Sequence, residues 1–152
     1  LARYFFDTSA IVKYYHAEPG TAEVSRIFAE PDRKIAISSI GFVEIQSAFA
    51  IKVRSGTLDP KNAGMQRARL MLDVAAGQLE VYRLAHQHLE AAELLIGRYS
   101  FTRRLRTLDA LQLAIALDLS RQNLLGHFVV ADKALAEIAS IEGLMVVNPE
   151  IE

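Results

Sequence analysis

The sequence predicts a three-layer α/β/α sandwich built on a mostly parallel five-stranded sheet in the order 3-2-1-4-5. Three observations predict it. Short apolar runs alternate with longer helix-period segments along the whole chain. The runs are almost entirely apolar, as strands are when both faces of a sheet are covered. Right-handed crossovers then restrict the order, and 3-2-1-4-5 is preferred to 2-1-3-4-5.

The elements follow in order. Ala2 to Phe6 is a strand ending in Asp7-Thr8-Ser9, which carries helix-start chemistry. Ala10 to Ala17 reads as a helix broken at Pro19-Gly20, and Thr21 caps the next, with Val24, Ile27 and Phe28 on one side. Lys34 to Ser38 is the second strand. Ile40 to Val53 has helical length and stops before Gly56. Asp59-Pro60 opens a helix, cap then N1 proline, that runs to Gly77. Leu79 to Arg83 is the third strand and His86 to Tyr99 a helix. Thr107 to Arg121 is a strong helix, His127 to Ala131 the fourth strand, Lys133 to Ser140 a short helix and Leu144 to Val147 the fifth strand.

Composition narrows the function. At 152 residues with 51% apolar content, residues 1–152 are expected to form one domain with a sizeable core. No internal repeat or linker interrupts them. The absence of Cys excludes a disulfide scaffold, thiolate metal sites and a cysteine nucleophile. The longest stretch without Asp, Glu, Lys or Arg is ten residues, Gln122 to Ala131, against about 20 for a membrane span. The N-terminal LARYFFDTSA reaches Asp7 with no room for a signal peptide. A cytoplasmic protein is therefore expected. Net charge is −1, but residues 98–109 hold Arg98, Arg103, Arg104 and Arg106 against Asp109 alone, a local +3. Such a patch attracts anions on a nearly neutral molecule, although arginines in a solvated loop need no partner at all.

In open parallel sheets ligands bind beyond the carboxyl ends of the strands, where strand order reverses. Asp7 ends the first strand and Asp132 follows the fourth, which the order 3-2-1-4-5 makes neighbours. Each also suits an ordinary helix N-cap. Glu44 shares its helical face with Ile40, Ala48 and Ile51, so it is expected to be substantially buried and to need a partner or a cation. An internal salt bridge to arginine is the competing account. Asp109 repeats the pattern beside Leu113 and Ala116, and the helix dipole alone would favour an acid in that first turn.

Four carboxylates in one crevice repel, by about 1 kcal/mol per pair at 4 Å in water and about 4 kcal/mol at an effective dielectric of 20. A divalent cation relieves this, and an all-oxygen donor set selects Mg²⁺ or Mn²⁺ over zinc. One or two such ions activate a water and stabilise the leaving oxygen of a phosphodiester. His86 and His88 point in separate directions on a helix, and His16 and His127 lie far from them, so histidine is not expected as a ligand. No Gly-rich phosphate loop, GxSxG elbow or HExxH is present. Ser9 has no evident relay and is better placed to support the carboxylates from behind.

On these residues the chain resembles the PIN-domain ribonucleases, most closely the VapC toxins of prokaryotic toxin–antitoxin pairs. The resemblance runs from YFFDTSAIVKYY (4–15) through FVEIQSAF (42–49) and LRTLDALQLAIAL (105–117) to FVVADKAL (128–135). It implies a PIN-like sandwich and a metal-dependent endoribonuclease, with the acidic cluster on Asp7, Glu44, Asp109 and Asp132. It also implies a homodimer and a small antitoxin that blocks the site. One position departs: two residues before the last acid these proteins often carry Thr or Ser, and here Val130 stands. Reduced or altered metal use is the expected consequence, since all four charges remain. With that fold, Arg103, Arg104 and Arg106 should sit at the crevice mouth and bind RNA phosphates. Tyr14 and Tyr15 could stack on bases, but packing or a protein interface suits them better. Two other readings stay open: a catalytically weak module that binds RNA or an antitoxin, and a phosphatase or receiver-type domain with Asp7 as phosphate acceptor. The second lacks an acid beside Asp7 and at the end of the third strand.

Overall fold

The computed structural model describes residues 1–151, so the last position of the span read as one domain lies outside them. The strands β1 (Ala2–Phe6), β2 (Arg33–Ser38), β3 (Glu80–Tyr82), β4 (His127–Val129) and β5 (Val146–Val147) form one sheet in the order β3-β2-β1-β4-β5. Every pairing is parallel, with Tyr4 opposite Ile35 on one side and His127 on the other. The predicted order is the observed one.

Seven helices cover the two faces: α1 (Thr8–Tyr15), α2 (Thr21–Ala29), α3 (Ser39–Arg54), α4 (Pro60–Ala75), α5 (His86–Tyr99), α6 (Thr107–Arg121) and α7 (Lys133–Ile141). Side chains along a strand alternate between faces, and the core divides accordingly. Tyr4, Phe6, Ile35, Ile37 and Val129 pack with α1 to α4. Phe5, Ala36 and Phe128 pack with α5, α6 and α7 on the opposite face. Phe6 and Phe128 are fully buried, and truncating either to Ala should cost about 3–5 kcal/mol. No helix among the described residues is long and apolar enough to cross a membrane.

Strand and helix ends differ from the predicted ones for identifiable reasons. Asp7 caps α1 directly, so the helix begins at Thr8 rather than Ala10. The fifth strand starts at Val146, not Leu144, because Gly143 closes α7 with a left-handed φ of 91°. The Leu144 amide is then spent on the Ala139 carbonyl at 3.0 Å. The Leu79 amide is likewise consumed by Asp73 at the end of α4, and β3 begins one residue later. Val130 follows β4 with its side chain fully buried in the α5–α7 core and its amide on the Val147 carbonyl.

Candidate functional site

The carboxyl ends of β1 and β4 lie side by side, and each leads within three residues into a helix capped by aspartate. Asp7 caps α1 by accepting from the Ser9 amide at 3.0 Å, and Asp132 caps α7 by accepting from the Leu135 amide at 3.0 Å. The capping role considered for both is therefore real. It occupies one oxygen of each carboxylate: Oδ2 of Asp7 and Oδ1 of Asp132. Ser9 joins the two strand ends, since its hydroxyl donates to Asp7 Oδ2 at 2.6 Å and accepts from the Ala131 amide at 3.0 Å.

Glu44 comes from the first half of α3, but not for the expected reason. The buried face of α3 is Gly41, Ile45 and Phe49, whereas Val43 and Ile51 are largely exposed. Glu44 stands beside that face, half-buried, and its Oε1 accepts from Thr8 Oγ1 at 3.1 Å and Gln112 Nε2 at 3.3 Å. Among the described residues it makes no salt bridge to arginine. Gln112 lies in the buried stripe of α6, and its Oε1 accepts from the Ser38 hydroxyl that caps α3. Gly41 leaves room for this approach of α3 to α6, since a Cβ there would meet Gln112 Nε2 at 3.2 Å and push the amide aside by a few tenths of an ångström. Gln112 is not among the residues expected from the sequence, where its one signal is an uncharged amide inside the apolar run LDALQLAIAL.

Asp109 sits in the first turn of α6, where Oδ2 accepts from the Arg106 amide at 3.3 Å and from Arg106 Nε at 3.1 Å. The same guanidinium lies 3.8 Å from Asp132 Oδ2, and Arg104 lies 3.9 Å from it. Arg103 turns to Glu137 at 3.3 Å. Glu44, Asp109 and Arg106 line a recess of about 320 Å³. A larger groove of about 1010 Å³ lies along α7 and β5 and contains none of the four acids. Two of the four acids, Glu44 and Asp109, line the smaller one.

Electrostatics links three of the acids. Burial pushes the Asp7 carboxyl up to about 6; hydrogen bonds from Ser9 oppose the rise, and the charges of Asp109 and Glu44 add to it. Burial also raises Glu44, opposed by Thr8 and Gln112, with Asp109 adding again. The remaining candidates have other occupations. Tyr14 stacks on Phe28 at 3.7 Å, and the buried Tyr15 donates to Asp73 at 2.6 Å, so both are packing residues. His88 bonds Asp118 and His86 pairs with Glu90, away from the acids.

The donor set suits a hard divalent cation. Each of the four carboxylates has one oxygen held by a hydrogen bond, and among the described residues the other accepts none. The acids are nevertheless not drawn to ligand spacing: no group of three or more His, Asp or Glu among the described residues is close enough to hold a metal.

Residues 4–141, nearly the whole chain and all four acids, match the family model of the PIN domain. The chain belongs to the PIN-domain family. Solved structures share this PIN fold at low identity. VapC20 of Mycobacterium tuberculosis, described as a toxin that cleaves the sarcin–ricin loop, is 15% identical with a TM-score of 0.67, and the match covers 98% of each chain. The FitAcB structure from Neisseria gonorrhoeae is 18% identical with a TM-score of 0.68, over 96% of this PIN domain and 97% of that chain. A toxin–antitoxin complex from Klebsiella pneumoniae is 20% identical with a TM-score of 0.62, over 95% and 96%. No curated protein matches the sequence.

Proposed function

We propose that this PIN domain is a metal-dependent endoribonuclease, the toxin of a toxin–antitoxin pair, that hydrolyses RNA phosphodiester bonds. The observation that carries the reading is the set Asp7, Glu44, Asp109 and Asp132 at the carboxyl end of the sheet, each tethered through one oxygen. Those residues would hold Mg²⁺ or Mn²⁺. When bound, the cation supplies polarisation of the attacking water and neutralises charge developing on the phosphodiester.

The chain supplies the rest. Ser9 and Gln112 hold the carboxylates of Asp7 and Glu44 through one oxygen each, which restricts their rotamers and leaves the second oxygen of each unbonded. Arg103, Arg104 and Arg106 form the exposed rim and suit backbone phosphates, which orient RNA without reading its sequence. In hydrolysis, water adds to phosphorus, the bridging ribose oxygen leaves with a proton, and two RNA ends result. Toxins in structural relatives occur in complexes with antitoxins, which supports a small antitoxin partner here, and a homodimer is part of the same reading.

A second reading, a module that binds RNA or an antitoxin without cutting, draws on the wide spacing of the acids and on Val130. One experiment separates them. RNA incubated with the protein in Mn²⁺ should be cut at internal sites, the cutting should stop in EDTA, and Asp7→Asn and Asp109→Asn should abolish it. Equal cutting by either variant would sink the nuclease reading.

A further inference from the structure

We propose that Arg106 is the resident counter-cation of the acidic site, and that a divalent cation binds by displacing its guanidinium. The proposal rests on the reading of the four acids as cation ligands. Arg106 reaches across the mouth of the site: Nε is 3.1 Å from Asp109 Oδ2 and Nη2 is 3.8 Å from Asp132 Oδ2. It thereby bridges the first turn of α6 and the cap of α7. It also lines the recess with Glu44 and Asp109. Asp109, first by its hydrogen bond, and then Asp132 and Asp7 raise the Arg106 guanidinium, and the Arg106 charge opposes the burial that raises Glu44.

Among the described residues, the ion pairs of the Arg106 guanidinium are to Asp109 and Asp132, and its side chain is 62% exposed. It can therefore swing outward at little packing cost when a stronger cation arrives. The wide spacing of the acids follows as well: a planar guanidinium bridges carboxylates at longer range than an ion with oxygen ligands near 2.0–2.1 Å. A displaced Arg106 would face the solvent at the crevice rim, where an anionic backbone phosphate could take it up. Cation and phosphate would then favour each other's binding through one side chain.

The test is calorimetric titration of Mn²⁺ into the full chain, without RNA, for wild type, Arg106→Gln, Arg106→Lys and Arg103→Ala. Glutamine keeps a hydrogen-bonding head for Asp109 but removes the charge, so folding should survive. Arg106→Gln should bind Mn²⁺ about five- to tenfold more tightly, the change expected from removing one like charge a few ångströms away in a partly screened site. Arg106→Lys should stay near wild type. Arg103→Ala, which removes the same charge from a side chain turned to Glu137, should also match wild type. Equal or weaker Mn²⁺ affinity in Arg106→Gln overturns the proposal while leaving the cation site intact. If neither wild type nor Arg106→Gln binds Mn²⁺, the cation reading falls and the proposal with it. A thermal melt supplies a second readout: Mn²⁺ should raise the melting temperature of Arg106→Gln more than that of wild type.

Discussion

Gln112 accepts a 2.6 Å hydrogen bond from the Ser38 hydroxyl and, through the other end of its amide, donates to Glu44 at 3.3 Å. One buried side chain thus ties the cap of α3 to the acid that α3 carries into the site. Gln112→Leu should fill the space and leave the Ser38 hydroxyl, itself fully buried, without its acceptor. Unfolding in urea should show a loss of about 1–3 kcal/mol. Glu44 would keep only Thr8, so RNA cleavage should also fall. A variant as stable as wild type would mean that the bridge contributes nothing.

Much of this arrangement was legible in the chain, and the parts that were not share a cause. Asp7 and Asp132 could be read because a strand end followed by a helix start is a local signal, and the parallel order places the two strands together. Glu44 is legible as a costly acid, but the stripe it belongs to is not. The pattern Ile40, Ala48, Ile51 competes with Gly41, Ile45, Phe49 at the same helical period, and only the packing of α3 on the sheet decides between them. Gln112 and the reach of Arg106 to Asp132 depend on neighbours 74 and 26 positions away, which no window along the sequence contains. The pairing of Arg106 with Asp109 was accessible, since residues three apart face one another on a helix.

Asp7 should make the fold pH-dependent in a direction opposite to that of a surface aspartate. Its carboxyl is raised to about 6, chiefly by burial. The protonated form therefore favours the folded state. That contribution is complete below the unfolded value near 4 and is lost as pH rises through 6, up to about 3 kcal/mol in all. Asp7→Asn is neutral throughout. In EDTA its advantage over wild type in urea stability should be largest at pH 8 and shrink towards zero as pH falls below 4, while it cuts no RNA. Equal pH dependence in the two proteins would show that Asp7 does not carry this charge cost.

Ser9 should tune that same carboxyl. Its hydroxyl and amide both donate to Asp7 Oδ2, and both lower the Asp7 pKa against the effect of burial. Ser9→Ala removes the hydroxyl and leaves Asp7 higher still. The acid limb of the pH–rate profile for RNA cleavage should move to higher pH, with activity recovering as the medium is made more alkaline. The Ala131 amide also loses its acceptor, which should lower stability by about 1–2 kcal/mol. A rate reduced equally at every pH would assign Ser9 to the fold alone.

Arg104 and Arg103 should separate in their response to salt. Arg104 approaches Asp132 only to 3.9 Å and is 62% exposed, so its charge is largely available to an incoming anion. Arg103 lies 3.3 Å from Glu137, which offsets part of its charge before RNA arrives. Each arginine that neutralises a phosphate of single-stranded RNA contributes about 0.7 to the slope of log affinity against log salt. Binding of a fluorescent single-stranded RNA in EDTA, followed by anisotropy from 50 to 300 mM salt, measures that slope. Arg104→Ala should reduce it by about 0.7 and weaken binding most at low salt, and Arg103→Ala should change it less. The ordering is the informative part, because a nonspecific loss of positive charge would flatten both slopes alike. Equal slopes in the two variants would remove Arg104 from the RNA-contacting rim and leave it as a partner of Asp132.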